Sequence, residues 1–265
     1  MPETRWHSTR LIRASFVLHA AALIVLIAVQ WRWALFAVLA NHALLALTGL
    51  LPRSNWLGEN WTRLPSTSAD QHEIALTIDD GPDPVVTPQV LDILDRYAVQ
   101  ATFFCIGEKA ARYPDLCREI IGRGHTIENH SQHHRHYFSL LGYSGILREL
   151  QTAQTTLTKI TGQQPLFFRA PAGLRNPFLD PVLKKLNLRL ASWSVRAYDT
   201  RVNNAASVSN KLLHGLKAGA ILLLHDGNAA RTKNGTPVIL DVLPAVLAAA
   251  KTAGLRFITL RAALS

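Results

Sequence analysis

Two stretches near the N-terminus carry no charged residue: "ASFVLHAAALIVLIAV" from Ala14 to Val29 and "WALFAVLANHALLALTGLL" from Trp33 to Leu51, separated only by "QWR" at Gln30 to Arg32. A chain must take that much apolar surface out of water, and a helix of about 20 apolar residues is what crosses a bilayer. The second run meets that length and the first falls slightly short of it. Trp6, Trp31, Trp33, Trp56 and Trp61 flank the runs, as interfacial aromatic side chains do. The pattern predicts a transmembrane helical hairpin, with helices at about 14–30 and 33–51 inside a membrane segment 1–63. A cleaved signal peptide and one long buried or re-entrant helix are the alternatives. The signal peptide fits less well, because a second apolar run follows the first directly and no clean small-residue cleavage site precedes a polar start.

Residues 1–63 hold six arginines against two glutamates. Arg5, Arg10 and Arg13 precede the first run, Arg32 alone sits in the connecting turn, and Arg53 and Arg63 follow the second. By the positive-inside rule this places both ends, and with them the large C-terminal part, on the cytoplasmic side of a multi-pass inner-membrane protein. If the first run fails to span, the large part lies outside instead.

A polar linker, "LPSTSADQH" at 64–72, leads into residues 73–265. There short apolar runs read as strands at Ile74–Ile78, Ala101–Ile106, His125–Glu128, Leu166–Phe168, Leu190–Trp193, Ala220–Leu224 and Phe257–Leu260. Helical patterns lie between them near Pro88–Tyr97, Pro114–Arg123, Ser144–Thr161, Leu179–Leu186, Ala206–Leu216 and Leu240–Ala253. Thr87 before Pro88 reads as a helix cap, and Gly162 as a helix stop. Strands alternating with helices predict an α/β fold with a parallel, barrel-like sheet of about seven strands.

The 265 residues are 48% hydrophobic, so a substantial core needs no staples. Cys105 and Cys117 give no disulfide framework, and Cys105, inside "ATFFCIG", reads as a buried thiol. The formal charge of +10 is spread along the chain without a basic run or a nucleic-acid motif, so nucleic acid is not the expected partner.

In a barrel of this kind chemistry gathers at the C-terminal ends of the strands, where loops converge. The polar clusters fall there: Asp79 and Asp80 after the first strand, "ENHSQHH" after the third, "FRAPAG" after the fourth, Tyr198 and Asp199 after the fifth, and "LLLHDG" at the sixth. His130 and His134 are four apart, so one helical turn would put both imidazoles on one side, and a carboxylate from the first strand would complete a two-histidine, one-carboxylate set. That set suits one divalent cation, Zn²⁺ first, with Co²⁺, Ni²⁺ and Mn²⁺ compatible by donor type. A stretch holding five histidines contains some such pair by chance. Asp79 and Asp80 likewise read either as a turn or as one ligand and one free base.

The ordered motifs "TIDDGPDP", "HSQHH", "RAPAG", "WSVRAYDT" and "LLLHD" resemble the polysaccharide deacetylase family, carbohydrate esterase family four, over about residues 73–262. The resemblance implies the family's deformed (β/α) barrel and a metal-dependent deacetylase. It implies Asp80, His130 and His134 as metal ligands, Asp79 as catalytic base held by Arg169, and His225 as the acid protonating the leaving amine, oriented and charged by Asp199. A backbone N–H near Ala172 would stabilise the oxyanion. Leu223 would line the acyl pocket or be plain core, and Trp193 would form a groove wall or pack inside.

Three positions depart from the family's pattern: Ala172 where an aromatic is usual, Arg196 where an aspartate is usual, and Thr200 where a tryptophan is usual. They bear on the substrate more than on the reaction. The expected activity is removal of an N-acetyl group from an amino sugar of a lipid-linked or membrane-proximal glycan, with a glycolipid or glycan and the membrane as partners. The same site on an O-acetyl ester or a formamide is one alternative, and a non-catalytic membrane-bound sugar-binding protein is another. Phosphoryl transfer fits poorly, since it wants Asp-x-Asp.

Overall fold

The computed structural model describes residues 6–28 and 30–264; Arg5, counted above among the flanking cations, lies outside them. Helices α1 (Arg10–Ala28) and α2 (Trp31–Gly49) form a hairpin. A short helix α3 (Ser66–Asp70) leads into β1 (Glu73–Asp79), then α4 (Val86–Arg96), β2 (Thr102–Cys105), α5 (Gly107–Arg112), α6 (Pro114–Gly122) and β3 (Thr126–Asn129). The remainder runs α7 (Tyr143–Thr161), β4 (Phe167–Phe168), α8 (Leu179–Lys185), β5 (Arg189–Leu190), β6 (Val195–Arg196), α9 (Ala205–Leu213), β7 (Ile221–His225), α10 (Val238–Thr252) and β8 (Arg256–Phe257).

The strands pair in the order β5-β4-β3-β2-β1-β7-β6, all parallel, with β8 joining β1 at its start. Every residue of β1 is buried, as expected of a central parallel strand covered on both faces. Its side chains alternate. Ile74, Leu76 and Ile78 pack with Leu91 and Leu94 of α4 and Val242 and Leu243 of α10, while Ala75 joins Phe104, Phe167, Ile221 and Leu260 in a second cluster. Asp79 shares the side of Ala75 and Thr77, so the strand's own periodicity aims its last carboxylate into the barrel.

The sheet is curled but does not close on itself. Between the β5 end and β7 lies the segment Trp61–Leu64: Trp61 N–H donates to Leu190 O, Ser192 N–H to Trp61 O, and Leu64 N–H to Gly219 O, each at 2.9 Å. This segment, which ends on the first residue of the expected linker, therefore bridges the gap through isolated pairings of Trp61 with Ala191 and Arg63 with Ala220, and the linker itself carries α3.

Two short elements, β6 and α5, have no counterpart in the pattern reading, because two residues of strand and six of helix leave no periodicity to detect. Gly162 ends α7 in the left-handed conformation, φ 70°, as expected. Thr87 is not the cap of α4. The helix starts at Val86, Asp83 Oδ1 accepts from Val85 and Val86 N–H, and Thr87 Oγ1 instead donates to Asp226 Oδ2 at 2.5 Å.

In the hairpin, Asn41 donates to Ser15 Oγ at 2.7 Å across a buried seam, while Phe16, Ile24, Ile27, Phe36 and Leu39 are 59–80% exposed. The helices are long and apolar enough to be candidate membrane spans, as a signal sequence would also be. Three hydrogen bonds fix the hairpin to the barrel: Arg175 N–H to Gly49 O at 3.1 Å, Trp6 Nε1–H to Asp180 Oδ2 at 2.8 Å, and Thr9 Oγ1–H to Trp56 O at 2.8 Å. Gly49 is required there, because a Cβ would overlap the Arg175 carbonyl. An apolar groove of about 670 Å³ runs between hairpin and barrel, lined among others by Ile12, Phe16, Leu45, Leu140 and Phe178.

Candidate active site

The parallel register sets Asp79 level with His225 on one side and Phe104 on the other, so the ends of β1, β2 and β7 open into one cleft. The next residue, Asp80, has φ 72°. That left-handed turn lets two consecutive carboxylates enter the same cleft, where an extended strand would separate them. The turn is seated by glycines: a Cβ on Gly81 would lie 2.5 Å from Asp226 Oδ1, and one on Gly227 would overlap the Asp80 carbonyl. The "DDG" and "HDG" turns thus interlock, each needing the other's glycine.

Asp79 Oδ1 accepts from Arg169 Nη1 at 2.7 Å. The guanidinium, 1% exposed, also donates to Thr77 Oγ1 at 2.8 Å, Ala191 O at 3.1 Å and Ser192 O at 2.7 Å, and lies 4.1 Å from the Phe104 ring centroid. Four acceptors and an aromatic face hold it in place, so the carboxylate it grips is also fixed. Burial pulls the Arg169 guanidinium below its ordinary range, opposed by Asp79.

His130 and His134 do come together, though not on a helical turn. Residues 130–137 form a loop in which Ser131 (φ 64°) and His134 (φ 49°) are left-handed, and Ser131 Oγ accepts from His134 N–H at 3.0 Å. Asp80 Oδ1 lies 3.2 Å from both His130 Nε2 and His134 Nε2. It is buried without a hydrogen-bond donor, and the three ligand atoms lie within 4.8 Å of one another. The Arg169 carbonyl, 2.8 Å from His130 Nδ1, fixes the tautomer that leaves Nε2 with its lone pair. Burial, with His130 alongside, pushes the His134 imidazole down to about 4, which keeps it neutral as a ligand must be. Burial acts to raise Asp80, but the imidazoles of His130, His225 and His134 outweigh it and hold the carboxyl far below its ordinary range. These residues fit a divalent cation.

His225 Nδ1 meets Asp199 Oδ1 at 2.9 Å, and its N–H donates to Asp199 Oδ2 at 2.7 Å. Burial disfavours the imidazolium, yet the carboxylates of Asp199, Asp79 and Asp80 together outweigh it and the net direction is upward. Arg169 and Asp199 sit behind the cleft; the other expected residues, Ala172, Trp193 and Leu223 included, line a cavity of about 330 Å³.

The pattern reading missed several contributors. Asn228 Nδ2 donates to Asp80 Oδ2 at 3.2 Å, and Lys109 Nζ to the Asp80 carbonyl at 2.8 Å. Thr77 and Asp226 hold Arg169 and Thr87 respectively, and His136 joins the cavity wall. Thr77 and Asp226 lie inside the quoted motifs "TIDDGPDP" and "LLLHD", and His136 and Asn228 lie two residues past a motif, whereas Lys109 has no motif near it. Asp80, Ser131, His134, Ala172, Tyr198 and Asn228 are all non-glycine residues at positive φ around this cleft. Each conformation costs roughly 1–3 kcal/mol and is the kind of strain that gathers at functional sites.

Residues 66–191 match the family model for polysaccharide deacetylase. A peptidoglycan-N-acetylglucosamine deacetylase of Bacillus cereus is 30% identical over 215 residues, covering 78% of this chain and 75% of that protein. The chain belongs to the polysaccharide deacetylase family. A chitooligosaccharide deacetylase of Azorhizobium caulinodans is 37% identical over 159 residues, 60% of this chain and 75% of its own length. The crystal structure of a peptidoglycan N-acetylglucosamine deacetylase superposes with a TM-score of 0.69 at 28% identity, covering 77% of this chain and 91% of that one. As in that family the barrel is deformed, and the named relatives are carbohydrate deacetylases.

Proposed function

We propose that the protein is a metal-dependent hydrolase that removes the N-acetyl group from an amino sugar of a lipid-linked or membrane-proximal glycan. The observation that carries this reading is the pairing of Asp79 with Arg169 and of His225 with Asp199, at one register on adjacent strands, beside a buried His₂Asp set. Asp80, His130 and His134 would hold one divalent cation, Zn²⁺ by donor type, which when bound supplies the Lewis acidity that activates water and polarises the amide carbonyl.

The protein's own groups do the rest. Asp79 is the base that takes the proton of the attacking water, and Arg169 fixes its orientation. His225, held protonated by Asp199, donates from Nε2 to the departing nitrogen, without which an amine is a poor leaving group. The backbone N–H near Ala172 donates to the carbonyl oxygen as charge develops on it. Leu223 and Trp193 wall the acyl pocket. One group kept basic and one kept acidic is the division that amide hydrolysis requires.

The membrane context rests on α1 and α2: a pair of apolar helices tied by the Gly49–Arg175 hydrogen bond to the loop that carries Ala172 would bring the cleft close to a bilayer. The arginine bias favours the catalytic domain on the cytoplasmic side, and reporter fusions at the C-terminus test that orientation. Metal content and acetate release, compared for wild type, His134→Ala and Asp79→Asn, test the chemistry. His134→Ala is expected to lose metal and turnover together, and Asp79→Asn to keep the metal and lose turnover. Acetate release by metal-free protein, or by Asp79→Asn at the wild-type rate, removes the reading.

A further inference from the structure

A second cavity, about 690 Å³ in volume, lies against the first, and Trp193 and Arg196 belong to the walls of both. Its charged lining is entirely cationic: Arg53, Arg63, Arg196, Lys211 and Lys217. None of the five has a carboxylate at ion-pair distance among the described residues. Arg63 donates to Ala218 O at 2.9 Å and Arg53 to Ser194 O at 3.3 Å, which positions both without neutralising either. Tyr198 stands between two of the others, with the Arg196 guanidinium 5.1 Å and Lys211 Nζ 4.5 Å from its ring centroid. Arg196 is further held 5.0 Å from the Trp193 ring, and its Nε is buried without a partner.

Like charges gathered around one concavity repel unless an anion joins them. Several cations elsewhere are answered by carboxylates, Arg169 by Asp79, Arg261 by Glu128, and Arg123 by Asp92, Asp95 and Glu119, whereas this cavity gathers five that are not. Aromatic faces support Arg196 and Lys211 here in place of acids, leaving their N–H groups for a ligand. Three arginine forks and two ammonium groups match the oxygen array of a phosphate, and five positive charges exceed what one carboxylate would neutralise.

The position of the cavity says where such a phosphate would come from. Pro52 and Arg53 in its wall follow α2 directly, and Leu50 and Leu51, 58% and 51% exposed, form an apolar collar just before them. Pro52 also reaches the catalytic side, accepting from Ser192 Oγ at 2.6 Å and lying against Gly173. Apolar helix, cationic cavity and catalytic cleft follow one another in that order, as tail, phosphate and sugar do in a glycolipid.

We infer that the cavity formed by Arg53, Arg63, Arg196, Lys211 and Lys217 binds the phosphate of a phosphate-ester-linked amino sugar, whose N-acyl group enters the adjoining catalytic cleft, with a membrane lipid as the other side of the ester. This inference rests on the deacetylase reading for its second half only.

The experiment uses the full-length protein and follows acetate release from neutral diacetylchitobiose, from N-acetylglucosamine 1-phosphate, and from a polyprenyl phosphodiester of N-acetylglucosamine in mixed micelles. Pyrophosphate binding is measured calorimetrically in parallel. Arg53, Lys211 and Lys217 are exposed, so neutralising Arg53 and Lys211 together (Arg53→Ala, Lys211→Ala) leaves the core untouched. The phosphate-bearing substrates are expected to exceed the neutral one in kcat/KM by about tenfold or more, with the lipid ester first. The double variant is expected to erase that ratio through KM and to weaken pyrophosphate binding by about tenfold.

Equal turnover of neutral and phosphorylated substrates, or a ratio indifferent to the double variant, overturns the inference. Equal turnover of the soluble and lipid-borne phosphates keeps the phosphate site and overturns the lipid as its source. Acetate from none of the substrates, with pyrophosphate still bound and lost in the variant, counts against the deacetylase reading and in favour of the cavity. Pyrophosphate bound equally by both proteins overturns the cavity by itself.

Discussion

The hairpin and the barrel of this protein are built in opposite senses. In the hairpin the large apolar side chains face outward, with Ile27 80% and Val17 69% exposed, and the hydrogen-bonding pair Ser15–Asn41 is enclosed between the helices. In the barrel Leu76, Leu91, Phe103 and Val242 are fully enclosed and the helices present polar faces outward. Some of the barrel's enclosed polar groups, among them Glu73, Thr102 and His125, lie at the starts of the strands, but the dense cluster of Asp79, Asp80, His130, Arg169, Asp199 and His225 gathers at the C-terminal edge. The difference teaches that burial of a polar side chain has two meanings here. Between α1 and α2 it accompanies association of two helices with an apolar outer surface; at the ends of β1 and β7 it accompanies the groups proposed to do the chemistry.

The largest effect should come from the barrel. Asp79→Asn is expected to lower acetate release by roughly 10²–10⁴, the usual contribution of a positioned base, while partition into vesicles stays unchanged. A fall in both would break the separation of the two regions.

Asp199→Asn should act on the pH profile. His225 must be protonated to donate, and Asp199 raises its pKa, so the active fraction is full at low pH and is lost as pH rises through that raised value. With the Asp199 carboxylate gone, burial is opposed only by the charges of Asp79 and Asp80, and the alkaline limb of kcat moves to lower pH. A limb that stays in place would mean that another group is the acid.

In the hairpin, Ile24→Arg places a charge at mid-helix on the outward face. At about 3 kcal/mol for arginine at a membrane centre, the membrane-bound fraction is expected to fall by on the order of a hundredfold, read by flotation with vesicles, with the barrel's near-UV circular dichroism retained.

The two smallest effects sharpen the contrast directly. Thr77→Val removes an acceptor from buried Arg169 and is expected to cost about 1–3 kcal/mol in urea unfolding. Asn41→Leu removes the Ser15 partner between the hairpin helices and is expected to cost nearer 0.6 kcal/mol in a detergent unfolding assay, the typical value between membrane helices. Equal costs would indicate that both hydrogen bonds lie in similar surroundings.

Much of this was legible beforehand because periodicity and chemistry coincide at strand ends. The runs containing Ile74–Ile78 and Ala220–Leu224 are strands within a residue of the expected bounds, and the alternation along β1 places Asp79 in the cleft without help from any other element. What escaped did so for physical reasons. β6 has two residues, so no pattern announces it, yet it carries Arg196. The histidine pair at His130 and His134 meets through left-handed residues at Ser131 and His134, a geometry that spacing alone reads as a helical turn. Thr87 looked like a cap because caps are local, whereas its partner Asp226 lies 139 positions away. The cationic cavity assembles Arg53, Arg63 and Lys211 from segments that sequence places far apart, and only the folded chain brings them to one wall.

The short stretch Trp61–Leu64 decides how the two halves can be separated in the laboratory. A fragment cut at the polar linker would leave the Leu190 and Gly219 carbonyls and the Ser192 N–H without their partners and would bare one margin of the sheet. Unpaired margins invite pairing between molecules. A soluble catalytic fragment should therefore be trimmed on the N-terminal side of Trp61, and insolubility of a shorter one would report a missing stave, with no bearing on whether the enzyme needs its helical hairpin.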